Sequence, residues 1–304
     1  MKILVTGGAG FIGSNLAEEL SKKHEVIIID DLSTGRVENL EDLDVELVRG
    51  SITDPDLLKE NFRGIDYVFH QAALPSVQKS VEDPVLANEV NVGGTLNVLL
   101  AARDAGVSKV IYASSSSVYG DSPELPKREG MKPDPKSPYA VTKLAGEYYC
   151  MIFNEIYGLK TVALRYFNVY GPRQDPSSDY AAVIPKFVKR VMAGEPPIIY
   201  GDGEQTRDFT FVSDVVQANL IAMETDATGV FNVATGKRIS VNDLADMVMG
   251  IIGKRMDPVH EEKRAGDVRD SLGDVSLAAG FGYAPQCGIK EGLEETIRWF
   301  RGKW

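Results

Sequence analysis

The stretch Thr6–Gly13, TGGAGFIG, constrains this chain more than any other. It follows the apolar run Ile3–Val5 and opens a helical pattern over residues 12–22, so strand, tight turn and helix follow one another directly. Gly8, Gly10 and Gly13 satisfy GxGxxG; Gly7, Gly10 and Gly13 satisfy GxxGxxG. Glycine is required because the chain must turn sharply, bring bare backbone against a pyrophosphate, and let the helix pack on the strand. The phosphate then rests on the unpaired N–H groups of the helix N-terminus. A second apolar run, Val26–Ile29, ends in Asp30-Asp31, at about the 20-residue spacing where an acid meets a ribose 2′-hydroxyl. A glycine turn without a ligand is the plainer reading, but strand, loop, helix and acid agree against it. A carboxylate in that place repels a 2′-phosphate, which favours NAD over NADP; nearby Arg36 is the opposing sign.

Further runs fall at Val45–Val48, Tyr67–Phe69, Val110–Tyr112 and Thr161–Leu164, with helical patterns at 55–62, 84–106 and 138–157. Short apolar runs separated by helices indicate a parallel sheet covered on both faces. The second half is less regular, with helices expected near 180–193, 214–225, 240–252 and 290–301 and strands at 197–200, 207–212 and 229–234. The fold class expected is α/β: a Rossmann-type doubly wound parallel sheet with a smaller, mixed α/β C-terminal substrate domain. Residues 1–165 form the NAD-binding part, joined by returning elements near 207–235, and residues 166–304 form the substrate region.

Composition narrows the function classes. A chain of 304 residues with net charge −11 repels nucleic acid and anionic membrane, so an anionic ligand needs a local basic pocket. Two distant cysteines and three histidines offer no metal spacing. No apolar run approaches the roughly 20 residues of a membrane span, and Met1-Lys2 leads straight into a strand rather than a signal peptide. These features point to a soluble cytoplasmic protein without metal.

SPYAVTK, residues 137–143, places Ser137 as a helix cap and Pro138 at the first helical position. Tyr139 and Lys143 then share one face of the first turns. A nearby ammonium favours the phenolate, and a phenolate serves as a general base on a hydroxyl. A surface i,i+4 contact is the alternative. The run ASSSSVYGD, Ala113–Asp121, follows the strand at 110–112, and in an open parallel sheet ligands bind beyond the carboxyl ends of strands.

Together TGGAGFIG, Asp30, SSSSVYGD, Tyr139-x-x-x-Lys143 and LRYFNVYGPR (164–173) resemble the extended short-chain dehydrogenase/reductase family, end to end and in order. Within it the chain is similar to the nucleotide-sugar 4-epimerases of UDP-galactose 4-epimerase type. The resemblance implies that Tyr139 takes the O4 proton while hydride passes from C4 to a retained NAD. Ser115 hydrogen-bonds the same oxygen, and Lys143 holds the nicotinamide ribose and lowers the Tyr139 pKa. It implies cofactor contacts from Gly7, Gly10, Phe11, Ile12, Gly13, Asp30, Asp31, Ser33, Ile52, Ala72 and Asn91, besides Tyr139 and Lys143. It implies UDP-sugar contacts from Ser115, Ser116, Tyr139, Asn168, Val183, Tyr200, Arg207, Arg264, Asp267 and Ser271. Arg207 and Arg264 would clamp the diphosphate, for which a planar guanidinium is suited, and Tyr200 would stack on uracil.

The family hosts several reactions on one scaffold. Similar dehydratases carry Asp-Glu just before VYG, and similar decarboxylases keep the Glu; here Ser116 and Ser117 stand there, which argues for epimerisation. In similar epimerases a bulky Tyr at the position of Ser271 closes the sugar pocket, so the resemblance implies that the small residue here admits a 2-acetamido group and UDP-N-acetylglucosamine joins UDP-glucose as a candidate. The chain also departs from similar proteins: Ser51 replaces the usual adenine-side acid, Pro75 stands where some epimerases offer a Lys to the phosphates, and Ala182 replaces an Asn of galactose-type members. The competing readings are a UDP-glucuronate 4-epimerase or decarboxylase, a dTDP-glucose dehydratase, and a non-catalytic NAD-binding scaffold. The resemblance further implies a homodimer through helices 84–106 and 138–157, with Leu144, Tyr148 and Ile152 as its apolar stripe.

Overall fold

The structure is a computed structural model and describes residues 1–176, 182–263 and 268–303. Seven strands form one wholly parallel sheet: β1 (Lys2–Thr6), β2 (Glu25–Asp30), β3 (Glu46–Arg49), β4 (Tyr67–His70), β5 (Lys109–Ser115), β6 (Lys160–Tyr166) and β9 (Gly229–Val233). Their order is β3-β2-β1-β4-β5-β6-β9. The chain leaves β1 toward β2 on one side and returns to β4 on the other. The crevice at the carboxyl ends of β1 and β4 is therefore the switch point where such sheets bind ligands. The strands are Val/Ile-rich and buried because helices cover both faces.

On one face, α1 (Phe11–Ser21) and α8 (Val212–Glu224) enclose Leu16, Leu20, Ile28, Ile111, Val215 and Met223. On the other, α2 (Pro55–Asn61), α5 (Thr95–Ala105) and α6 (Pro138–Tyr157) enclose Leu58, Val98, Leu99, Phe153 and Val110. A third apolar cluster lies in the C-terminal region, built by α7 (Val183–Ala193), α9 (Val241–Ile252) and α11 (Ile289–Lys303) around Phe187, Leu244 and Phe300. Smaller elements complete the chain: α3 (Val77–Glu82), α4 (Pro84–Asn88), α10 (Ser276–Ala279), and short pairs of β7 (Ile198–Tyr200) with β11 (Val259–Glu261) and β8 (Thr206–Arg207) with β10 (Ile239–Ser240).

Three expectations are corrected. The helix 84–106 is α4, a π-helical turn over Glu89–Gly94, and α5; within the π turn the Asn91 side chain bonds the backbone of Leu74. The strand at 207–212 is only Thr206–Arg207. The Asp208 carboxylate instead accepts N–H groups of Thr235, Gly236 and Gly273, and Val212 already begins α8. The helical run Pro84–Ala105, 22 residues with a window of mean hydropathy 1.2, does reach membrane-spanning length. Its α5 part packs on the sheet through Val98, Leu99 and Ala102, and a core-facing helix needs the same composition.

Candidate active site

The glycine turn fits a dinucleotide by sterics. Gly7 adopts φ +69°, and a Cβ there would stand 2.6 Å from the backbone nitrogen of Ala72. A Cβ on Gly13 would stand 2.2 Å from the Gly7 carbonyl oxygen. Only bare backbone passes between β1, the Gln71–Ala72 segment and α1, which leaves the first N–H groups of α1 open toward a phosphate. Gly10, the residue before α1, has no side chain to cap them. Phe11 and Ile12 are half-buried, Phe11 against the C-terminal apolar cluster and Ile12 against the first.

Asp30 ends β2 and is 7% exposed; its carboxylate accepts from the Ala9 N–H at 2.9 Å and the Leu32 N–H at 2.8 Å. Burial raises its pKa and those bonds lower it. Asp31 and Ser33 are exposed, joined by Ser33 N–H to the Asp31 carboxylate. Arg36 is paired with Asp175 at 2.6 Å, so its charge is shared with a carboxylate beside the ribose end. Ile52 is buried against Gly94, and the Ala72 N–H donates to Thr6 Oγ1 at 3.3 Å. Asn91 is buried, its amide occupied by Leu74 and Thr142. This makes it a brace for the switch-point loop.

The catalytic candidates meet at the carboxyl end of β5. Ser137 Oγ accepts from the Ala140 N–H, starting α6 as its sequence requires, and the Tyr139 N–H donates to Ser80 Oγ at 3.0 Å. The Ser115 side chain stands beside the Tyr139 hydroxyl and favours its ionised form. Lys143 is 3% exposed; its Nζ donates to the Ala113 carbonyl at 2.8 Å and stands 5.9 Å from the centre of the Tyr139 ring. Burial lowers the Lys143 pKa to about 8, with Glu147 acting the other way. The expected depression of the Tyr139 pKa is not found. Burial raises the phenol, opposed only by Ser115, because Lys143 is turned to the Ala113 carbonyl. Ser116 follows in the short 3₁₀ turn Ser116–Tyr119, whose backbone is capped by Ser115 Oγ.

Beyond β6 the backbone carries Asn168 at φ +34°, and Leu32 and Arg173 are the other non-glycine residues with positive φ among the described residues. All three follow carboxyl ends of strands, the side of such a sheet on which ligands bind. Asn168 Nδ2 donates to the Asp208 carbonyl at 2.8 Å and to Ser271 Oγ at 3.3 Å. The Ser271 N–H donates to the Thr206 carbonyl, and Arg207 donates to the carbonyls of Thr206 and Arg269. Asn168, Arg207 and Ser271 are thus brought together. Tyr200 ends β7 and is linked through its carbonyl to Gln205; Val183 opens α7. Arg264 and Asp267 lie outside the described residues.

Two features of the site go beyond the sequence expectations. Glu147, one turn after Lys143, forms a buried two-point ion pair with Arg165 at 2.8 and 2.7 Å and also accepts from Ser114. The segment after β6 is fastened onto α1: Asn15 donates to the Pro172 carbonyl, and Arg173 reaches the Ser14 carbonyl and Glu18. The i,i+4 spacing of Lys143 and Glu147 sets Glu147 on the Lys143 face of α6, but nothing local announces its pairing with Arg165 or the second feature.

The NAD dependent epimerase/dehydratase family model matches residues 3–234. A UDP-glucose 4-epimerase of Mycolicibacterium smegmatis is 42% identical over 313 residues, covering 100% of this chain and 99% of that protein. The structure of UDP-N-acetylglucosamine 4-epimerase from Methanobrevibacter ruminantium, in complex with UDP-N-acetylmuramic acid, superposes with TM-score 0.97 at 42% identity, covering 100% of this chain and 99% of the other. The structure of Thermus thermophilus UDP-glucose 4-epimerase in complex with NAD gives TM-score 0.93 at 40% identity, covering 100% of both chains. On this likeness and on the glycine turn, Asp30 and the Tyr139–Lys143 pair, the chain belongs to the NAD-dependent epimerase/dehydratase family.

Proposed function

We propose that this chain is an NAD-dependent 4-epimerase of UDP-sugars, acting on UDP-N-acetylglucosamine and UDP-N-acetylgalactosamine and also on UDP-glucose and UDP-galactose. The observation that carries this reading is the meeting of the Ser115 and Tyr139 hydroxyls beside buried Lys143, in a loop whose next two residues are serines rather than carboxylates. The names of the relatives support a UDP-sugar, and Ser271 beside Asn168 supports an acetamido group.

When bound, NAD supplies the hydride acceptor and donor at C4, so the sugar passes through a 4-keto form and leaves with either configuration. Tyr139 Oη takes the O4 proton and returns it. Ser115 Oγ holds O4 by a hydrogen bond and steadies the phenol. Once its bond to the Ala113 carbonyl is exchanged, the ammonium of Lys143 would turn toward Tyr139 and favour negative charge there. Asp30 and Asp31 hold the ribose, and the Gly7–Gly13 backbone holds the pyrophosphate. Arg207, with Arg264, holds the UDP diphosphate, Tyr200 the uracil, and Asn168, Val183, Asp267 and Ser271 the rest of the substrate. In this reading residues 1–165, with α8 and β9, are the NAD-binding part and the remainder is the UDP-sugar region. The reaction suits a reducing, cytoplasmic compartment.

The test is a proton NMR time course with purified protein and no added NAD. A steady mixture of gluco and galacto epimers of the acetamido sugar supports the whole reading. Reaction of UDP-glucose alone removes the acetamido preference. Failure with both, even after NAD is added, overturns the assignment and brings forward UDP-glucuronate.

A further inference from the structure

One buried hydrogen-bonded path lies outside the proton transfers proposed above. It starts at Thr6, the residue before Gly7. The Thr6 Oγ1 lies 2.7 Å from His70 Nδ1, and His70 Nε2 lies 2.9 Å from Thr95 Oγ1. The Thr95 hydroxyl donates to the Asn91 carbonyl at 2.6 Å. Asn91 Nδ2 donates to Thr142 Oγ1 at 3.1 Å, and the Thr142 hydroxyl donates to the Tyr139 carbonyl at 2.8 Å. Thr6, His70, Thr95, Asn91 and Thr142 are all essentially buried.

The directions of the protons follow from the carbonyl. A carbonyl only accepts, so the Thr95 proton goes to Asn91 and Thr95 Oγ1 accepts from His70 Nε2–H. The neutral ring then offers Nδ1 as an acceptor, and Nδ1 takes the Thr6 hydroxyl proton. Thr6 Oγ1 in turn accepts the Ala72 N–H. A second ring proton would turn Nδ1 into a donor and take from the Thr6 hydroxyl proton its acceptor on the ring, and burial together with the charge on Lys143 holds the imidazole down to about 3. The other group packed on the ring is Tyr112, with centroids 5.5 Å apart and a phenol that burial keeps protonated.

We propose that His70, locked as the neutral Nε2–H tautomer, is a positioning residue that couples the seating of the glycine turn to the placement of Tyr139. One end of the path fixes the peptide that leads into Gly7; the other fixes the backbone of Tyr139. The kinetic half of this proposal rests on the epimerase reading.

The test uses NAD-loaded protein labelled with 15N-histidine. Long-range proton–nitrogen spectra are expected to show His70 protonated at Nε2 alone, unchanged from about pH 5.5 to 8.5. A proton on Nδ1, or titration in that range, overturns the proposal. Two variants separate the ends. His70→Asn keeps an acceptor for Thr6 and removes the Thr95 bond; NAD retention through dialysis should hold while kcat falls roughly tenfold. His70→Gln keeps a donor for Thr95 and removes the Thr6 bond; NAD affinity should fall roughly tenfold while kcat at saturating NAD holds. A fall in Tm alone, or equal losses of kcat and NAD affinity in both variants, reduces His70 to a structural role and ends the proposal. Wild-type protein inert toward every UDP-sugar would sink the epimerase reading instead, and the tautomer and NAD measurements would still decide for or against His70.

Discussion

At the scale of single residues, Tyr139 and Lys143 divide the work of the proposed reaction by protonation. Replacing Tyr139 by Phe keeps the ring in its buried place and removes the proton acceptor. Tyr139→Phe should fold and retain NAD but lose roughly 10²–10⁴-fold in turnover; near-normal rates would remove Tyr139 from the chemistry. Lys143 titrates near 8 in the folded chain and near 10.5 when unfolded. Its charge is complete well below pH 8 and is lost as pH rises through 8, so kcat should fall on that alkaline limb. Between about 8 and 10.5 the unfolded chain still binds the proton that the folded chain has released, so folding stability should rise with pH across that window. Urea titrations of wild type and Lys143→Met at several pH values check this, the variant lacking the slope. The identity of the pair was legible because i,i+4 spacing after a Ser-Pro start is local information. The raised phenol was not legible, since burial comes from strands and helices distant in sequence.

At the scale of elements, α6 is held to the sheet by the Glu147–Arg165 pair, both partners under 5% exposed, with Arg165 also stacked over Tyr119 at 4.7 Å. Taking away one partner leaves a buried charge alone, so Arg165→Met should cost about 3–5 kcal/mol of stability. The double change Glu147→Leu with Arg165→Met should cost less, and denaturant midpoints of the three proteins measure both. A loss no greater for the single change would show that the pair is not what anchors α6. Most sheet strands and long helices lie within a few residues of their expected places, since apolar period and caps such as Ser137 and Ser240 are written locally. The π turn at Glu89–Gly94 was not read from the sequence; within it Asn91 bonds the Leu74 backbone, a tertiary contact that no local spacing announces.

At the scale of the whole molecule, α6 leaves Val141, Tyr148, Ile152 and Ile156 exposed on one face, beside exposed Val77 and Val81 on α3 and Val85 and Leu86 on α4. Leu144, expected in that stripe, instead packs inward against the Val118 and Phe167 cluster. We propose that a second copy of the chain covers this apolar face. Sedimentation should give a dimer at micromolar concentration and a monomer for Ile152→Lys; a monomeric wild type rejects the interface. No spacing in the sequence could announce that Asn168 and Ser271 would meet, 103 positions apart.

The bonds of Asn15 and Arg173 that fasten the segment after β6 onto α1 have a thermodynamic meaning for the proposed reaction. An enzyme that hands back each hydride it borrows exchanges no electrons with the cell. Its dinucleotide has no reason to depart, so a first helix fastened firmly in place hinders no journey that the catalytic cycle makes.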